Sequence, residues 1–224
     1  MHLVYAIDNL GSGGAQRQAV ALASHLRRET DVRVTVLVYR KADFHAQRLR
    51  TAGVDVVWLP KRLQLDPLFP WRVRRWMVAN PIDLVHAFLP MPSFWYFLGA
   101  RTLSPARRPV FVAGERSAFE GHSWPQNAVR SMVYRRADAI TVNAGSMSEQ
   151  IHDRLGVDSA RIHYLPNGID LAAWDQEAKA DSPYELERDC FHFALVGGLR
   201  REKNHMLVLE AIEILGAQRT KDWR

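Results

Sequence analysis

Three glycines set between an apolar run and a helical pattern form the first stretch of this chain able to do chemistry. Leu3 to Ile7 (LVYAI) is the apolar run, typical of a strand buried on both faces. Gly11, Gly13 and Gly14 follow, and glycine lets a backbone turn sharply and come close to a ligand. Behind them Ala15, Ala19, Leu22, Ala23 and Leu26 recur at helical spacing, so the helix buries one face. Its first turn carries no Asp or Glu. The free N–H groups and the positive dipole end are therefore open to an anion such as phosphate or carboxylate. The spacing is G-x-G-G, and Gln16 stands where the dinucleotide fingerprint G-x-G-x-x-G has its third glycine. A tight βα connection without a ligand accounts for the same glycines.

The elements that must hold this turn follow from the rest of the pattern. Strands are expected at Arg33–Tyr39, Val54–Leu59, Ile82–Phe88, Val110–Ala113, Ala139–Val142 and Arg161–Leu165. Helices are expected at Phe44–Arg50, Pro67–Ala79, Ser93–Leu103, Ala128–Arg136 and Met147–Leu155. This alternation predicts parallel β-α-β units in an α/β, doubly wound, Rossmann-like sheet. Ligands of such sheets sit beyond the carboxyl ends of the strands.

With 224 residues, 47% hydrophobic and 24% charged, the chain fits a soluble globular protein with one sizeable core and a piece of another. Its one cysteine, Cys190, excludes an internal disulfide framework and suits a reducing compartment, so a cytoplasmic location is expected. Asp8 interrupts the first apolar run, which argues against a signal peptide, and no stretch approaches a membrane span of about 20 apolar residues. The net charge of +6 favours anionic partners. No nucleic-acid motif is present, so nucleic acid is not expected among them. Between Pro67 and Ala79, Trp71, Trp76 and Met77 alternate with Arg72, Arg74 and Arg75. That mixture fits either an interfacial helix on the inner face of an anionic membrane or an amphipathic helix packed on the sheet.

Asn167-Gly168 is a strong turn signal, and residues 171–190 are acid-rich and broken by Pro183, as an interdomain linker would be. The first domain is thus expected over residues 1–170. A new βα unit is expected over residues 191–224: a strand at Phe191–Val196, a Gly197-Gly198 turn, Asn204 as N-cap, and Gly216 as C-cap. Leu207, Val208, Ala211, Ile212 and Leu215 mark its buried helix face. One strand and one helix do not make a core of their own, so this unit is read as the start of an incomplete second domain.

In order along the chain, GSGGAQRQAVALASHL, IDLVHAF, ITVNAGSM, YLPNGIDLAAW and LVGGLRREKNHMLVLEAI together resemble the family 4 glycosyltransferases of the GT-B fold. The resemblance implies an acceptor-binding N-terminal domain facing a donor-binding C-terminal domain. It implies transfer of a sugar from a nucleotide-sugar donor, UDP- or GDP-linked, to a glycan or lipid-linked acceptor with retention of configuration. Polysaccharide or lipopolysaccharide biosynthesis is the setting it implies, with no metal and no further cofactor.

Residue by residue, the resemblance places Gly13 and Gly14 at the donor phosphates and the acceptor, and Lys203 at the donor diphosphate. Gly198 stands where the family commonly has arginine, a charge for which Arg200 or Arg201 could substitute. His86 matches the first histidine of the family's H-x-H pattern and is the catalytic candidate, although Phe88 replaces the second. Arg116 is expected at acceptor or phosphate groups, and Asn143 and Asn167 along the cleft. Without the family, His86 reads equally as a packed core residue, Arg116 as a surface ion pair, and the asparagines as turn formers. The family's carboxylate pair, which holds donor sugar and ribose, has no counterpart here, so weak nucleotide-sugar binding by this chain alone is expected. The alternative is a non-catalytic module that holds an acceptor or a partner. A dinucleotide oxidoreductase is disfavoured, because no acidic residue ends the second strand at Val38-Tyr39-Arg40.

Overall fold

A run such as Leu3–Ile7, apolar at every position, is stable only when both faces of its sheet are covered. The computed structural model provides that cover. It describes residues 1–117, 124–171, 174–175, 192–199 and 201–218. These fall into two compact units, Met1–Trp174 and Asp175–Arg224.

The first unit runs β1 (His2–Ile7), α1 (Gly14–Glu29), β2 (Arg33–Val38), α2 (Ala46–Thr51), β3 (Asp55–Trp58) and α3 (Phe69–Ala79). It continues with β4 (Leu84–Phe88), α4 (Pro90–Arg101), β5 (Val110–Glu115), α5 (Trp124–Tyr134), β6 (Ala139–Val142), α6 (Gly145–Leu155) and β7 (Ile162–Tyr164). Seven strands form one sheet in the order β3-β2-β1-β4-β5-β6-β7. Every pairing is parallel. This is the expected doubly wound α/β sheet.

The strand order reverses between β1 and β4, where Leu3 to Ala6 pair with Leu84 to Ala87. Right-handed crossovers then send successive helices to opposite faces of the two halves. Leu3, Tyr5 and Ile7 pack with Ala19, Val20 and Ala23 of α1 and Leu49 of α2. Val4, Ala6, Val85 and Ala87 pack with Val73 of α3, Tyr96 of α4, Tyr134 of α5 and Ile151 of α6. Crevices open at such a reversal, beyond the carboxyl ends of the strands.

Several boundaries differ from expectation, each for a physical reason. Helix α4 begins at Pro90 rather than Ser93, and α5 begins at Trp124 before Pro125. Proline breaks a helix interior but suits its first turn, where the missing N–H has no helical partner to lose. Strand β5 runs two residues past Ala113, through Gly114 to Glu115, because the glutamate is fully buried and paired. Helix α3 buries Phe69, Val73 and Met77 and so packs on the sheet.

In the second unit, residues 192–196 form no strand, and α7 (His205–Gln218) carries Gly216 inside it rather than at its end. An extended segment without a pairing partner leaves its backbone groups to water. Leu207, Ile212 and Leu215, expected to be buried, are exposed. The 191–196 strand and the buried face of α7 are therefore corrected among the described residues. Most of the 171–190 linker lies outside them.

Helices α3 and α4 cross closely at Gly99, where an added Cβ would lie 2.6 Å from Val73 Cβ and 3.1 Å from the Pro70 carbonyl oxygen. Gly99→Ala should lower unfolding free energy by about 1–3 kcal/mol, despite alanine's better helix propensity. Urea denaturation reads it, and an unchanged midpoint would contradict this packing.

Candidate functional site

At the carboxyl end of β1, Asp8 accepts hydrogen bonds from Asn9 N–H at 2.9 Å, Asn9 Nδ2 at 2.7 Å and Gln16 Nε2 at 2.9 Å. Gly11 N–H donates to Asn9 Oδ1 at 2.7 Å. The turn is thus braced by its own side chains. Gly13 has φ −72° and ψ 158°, and the glycines with positive φ among the described residues are Gly53 and Gly156. The glycine turn therefore turns without a left-handed backbone. Its glycines act by lacking a side chain. A Cβ on Gly13 would collide with the Gln16 carboxamide, and one on Gly11 would lie 2.8 Å from Asn9 Oδ1.

The first helical bond of α1 runs from Arg17 N–H to the Gly13 carbonyl at 2.9 Å. No side chain caps the helix and no acid stands in its first turn. Among the described residues nothing lies within 4 Å of a Cβ built on Gly14. The amide end therefore opens at Gly14, with Gln16 folded back onto Asp8.

A second group gathers around Arg116, just past β5. Its Nη1 donates to Asn167 Oδ1 at 2.8 Å, and its guanidinium carbon lies 5.2 Å from the centre of the Phe88 ring. Its Nε and Nη2 are buried without a hydrogen-bond partner among the described residues. The Asn167-Gly168 turn is tied to α1 by Gln18, whose Nε2 donates to the Gly168 carbonyl at 3.0 Å while its Oε1 accepts Gly168 N–H at 2.8 Å. A glutamine one turn into α1 thus joins the first predicted motif to the fourth. Its role was not read from the sequence, where it looks like an ordinary helix-surface residue.

His86 is buried beside this group. Its Nε2 shares a hydrogen bond of 2.8 Å with the Thr141 hydroxyl, and its ring packs 4.5 Å from Phe88 and 5.5 Å from Tyr5. Burial, and then the charge of Arg116, lowers its pKa to about 3. Burial likewise pushes the Tyr5 hydroxyl up, with Arg116 opposing. His86 is therefore a neutral packed ring at physiological pH. Asn143 lies half-buried at the end of β6, just before the uncapped N-terminus of α6.

The sequence reading missed a buried ionic network beneath Arg116. Glu115 and Arg130 are both fully buried and meet at 3.0 Å. The Tyr134 hydroxyl donates to Glu115 Oε2 at 2.9 Å, and the Ser117 hydroxyl and N–H donate to Oε1 at 2.8 and 2.9 Å. Charges so deeply buried persist only when paired in this way. Above the network lies a cleft of about 280 Å³ lined by Asp8, Tyr39, Leu89, Ser117 and Arg130. Leu89 at its edge has φ 74°, an uncommon backbone for a non-glycine residue, held by its N–H to the Gly114 carbonyl at 2.9 Å. A cleft of 420 Å³ lies at the amino edge of β4 and β5, away from all these groups.

In the second unit, Lys203 ends a short 3-10 turn and packs over Gly197, its Cγ 3.4 Å from a Cβ built there. His205 Nε2 lies 3.0 Å from the Gly198 carbonyl oxygen. Arg200 lies outside the described residues. Among the described residues, no three His, Cys, Asp or Glu side chains are grouped to hold a metal.

The parallel sheet, with its order reversing between β1 and β4 and an uncapped helix following β1, defines a Rossmann-like α/β domain. A family model, Glycosyltransferase Family 4, matches residues 12–173, and the chain belongs to that family. EpsF of Bacillus subtilis strain 168, a proposed glycosyltransferase, is 23% identical over 222 residues, which cover 93% of this chain and 56% of EpsF. Among solved structures, Anabaena HepE in complex with UDP and glucose superposes with a TM-score of 0.60 at 18% identity. That match covers 77% of this chain and 46% of HepE. The chain thus spans about half the length of these relatives. A UDP-N-acetylglucosamine 2-epimerase from Rickettsia bellii also matches, with a TM-score of 0.57 at 11% identity, over 81% of this chain and 49% of the epimerase. The GT-B fold is therefore shared by more than one chemistry.

The buried His86 has a pH signature. Its imidazole titrates near 6.5 when unfolded and about 3 when folded, so the unfolded chain binds the extra proton between those values. Stability is full above pH 6.5 and falls as pH drops through that window. Between pH 7 and pH 5 this group should cost about 2 kcal/mol. Urea titrations at both values should give His86→Asn a flatter pH dependence than wild type by that amount, whatever its offset at pH 7.

Proposed function

We propose that this chain supplies the acceptor-binding side of a glycosyltransferase that moves a sugar from a nucleotide-sugar donor to a glycan or lipid-linked acceptor with retention of configuration. The observation that carries this reading is Arg116, a guanidinium with two unpartnered buried nitrogens. It is linked through Asn167-Gly168 to the helix whose amide end opens at Gly14. A diphosphate or an ionised acceptor group is what such a cation and such amides favour. Gly13 and Gly14 admit that anion, Asn167 orients Arg116, and Asn143 borders the same strand edge. His86 acts as a positioning residue, keeping Phe88 under the guanidinium. Lys203, with Arg200 beside it in sequence, is assigned to the donor phosphates. HepE, whose structures hold UDP and UDP-glucose, supports a UDP-linked donor over a GDP-linked one.

Transfer assays with UDP- and GDP-linked sugars and glycan acceptors, run with a donor-binding domain supplied alongside this chain, test this. Product of unchanged anomeric configuration is expected. Arg116→Gln should lower kcat/KM by about 10- to 100-fold, the size of a charged hydrogen bond. An inverted product, or full activity in Arg116→Gln, would overturn the assignment.

We also assign a membrane contact to the loop before α3. Asp66 gathers this loop by accepting Arg62 N–H at 2.8 Å and Leu68 N–H at 3.2 Å. Leu63, Leu65 (77% exposed), Leu68 and Trp71 (58% exposed), all within nine residues of sequence, are each exposed. Arg74 sits 5.6 Å from the Trp71 ring, and Arg75 is exposed nearby in sequence. Apolar side chains flanked by arginines suit the surface of an anionic bilayer. No described helix is long and apolar enough to cross a membrane. Vesicles with about one-third anionic lipid should float the chain, and neutral vesicles should not. Leu65→Asp with Trp71→Asp should abolish recovery.

A further inference from the structure

The carboxyl edge of β2 and β3 carries a groove of about 510 Å³, which shares Arg40 with the cleft beside Asp8 and Leu89 but takes no part in the reaction proposed above. Leu10 contributes to its apolar lining, and Trp58, 49% exposed at the end of β3, forms a wall. Arg40, Lys41 and Arg50 line it against a single carboxylate, Asp43. Lys41 Nζ stands 4.7 Å from the centre of the Trp58 ring. None of the ion pairs among the described residues uses Arg40, Lys41 or Arg50. The groove is wired to the glycine turn, because Leu10 N–H donates to the Ala42 carbonyl and His45 N–H to the Leu10 carbonyl, both at 3.0 Å.

We infer that this groove is a subsite for an acidic sugar, a pyranose bearing a carboxylate, one or more residues away from the reacting end of the acceptor. An indole face with an apolar floor suits the C–H face of a sugar ring. Three cations against one carboxylate leave an excess positive charge that a neutral sugar would not compensate. Lys41, whose ammonium lies over the ring at 4.7 Å, is flexible enough to give up that place to a stacked sugar and meet its carboxylate at the ring edge. A free inorganic anion would use the cations and leave the indole and the apolar floor idle. The crowding of positive charge extends beyond the groove: burial first, and then Arg40, lowers the pKa of Lys61.

This inference rests on the acceptor-side reading above, and its test is separate from transfer. The intact chain, labelled with ¹⁵N, is titrated at low salt with cellobiouronic acid, with cellobiose and with inorganic phosphate. The Trp58 indole N–H resonance, assigned through Trp58→Phe, is followed. Cellobiouronic acid should shift that resonance and bind about tenfold more tightly than cellobiose, with the advantage shrinking as salt rises. Arg50→Gln and Lys41→Gln should each weaken it several-fold while leaving the Trp58 signal of the free chain folded and dispersed. Equal affinity for cellobiose would remove the acidic specificity and leave the acceptor reading standing. Phosphate binding as tightly as the acidic disaccharide would reduce the groove to an adventitious anion site. No shift at Trp58 with any of the three would overturn the subsite, while the Arg116→Gln transfer measurement judges the acceptor reading independently.

Discussion

The parallel pairing of β1 with β4 is the constraint on which the rest of the first unit depends. It joins two half-sheets whose crossovers wind in opposite directions. One half places α1 and α2 on one face, and the other places α3 to α6 on the opposite face. At the junction the helices diverge, so among the described residues no helix closes over the ends of β1 and β4. Asp8, the glycine turn and Leu89 all belong to that junction.

Charge at this edge is apportioned by alternation along β5. Glu115 points inward and Arg116, its neighbour in sequence, lies at the rim. The glutamate's oxygens are taken by Arg130, Tyr134 and Ser117 beneath the sheet edge. It therefore cannot neutralise Arg116, whose Nε and Nη2 have no hydrogen-bond partner among the described residues. Removing Arg130 would leave an unpaired buried carboxylate, a costly state. The inner pair is thus a condition for the outer charge, and it explains why two adjacent ionic residues have such different surroundings.

The same sheet serves as scaffold for two other surfaces. The β2–β3 edge carries the groove at Trp58, and the loop after β3 carries the exposed leucines around Asp66. Both lie on connections leaving carboxyl ends of strands, where irregular backbone can vary without disturbing the ladder. The fold supplies positions, and the chemistry resides in the side chains placed there.

What the sequence determined by itself was periodicity and local punctuation. Apolar runs such as LVYAI and RVTVLV named the strands of a parallel sheet, and the absence of acids after Gly13 foretold an uncapped helix end. The family was legible in the order of its motifs. Tertiary structure decided what depends on residues distant in the chain. Gln18 clasps Gly168 across 150 residues, Glu115 meets Arg130, and His86 is neutral because Tyr5, Phe88 and Thr141 enclose it. No local pattern marks these, because burial and charge state are set by whatever the sheet brings alongside. The exposed face of α7 teaches the converse: helical periodicity announces a face that wants a partner but does not supply one.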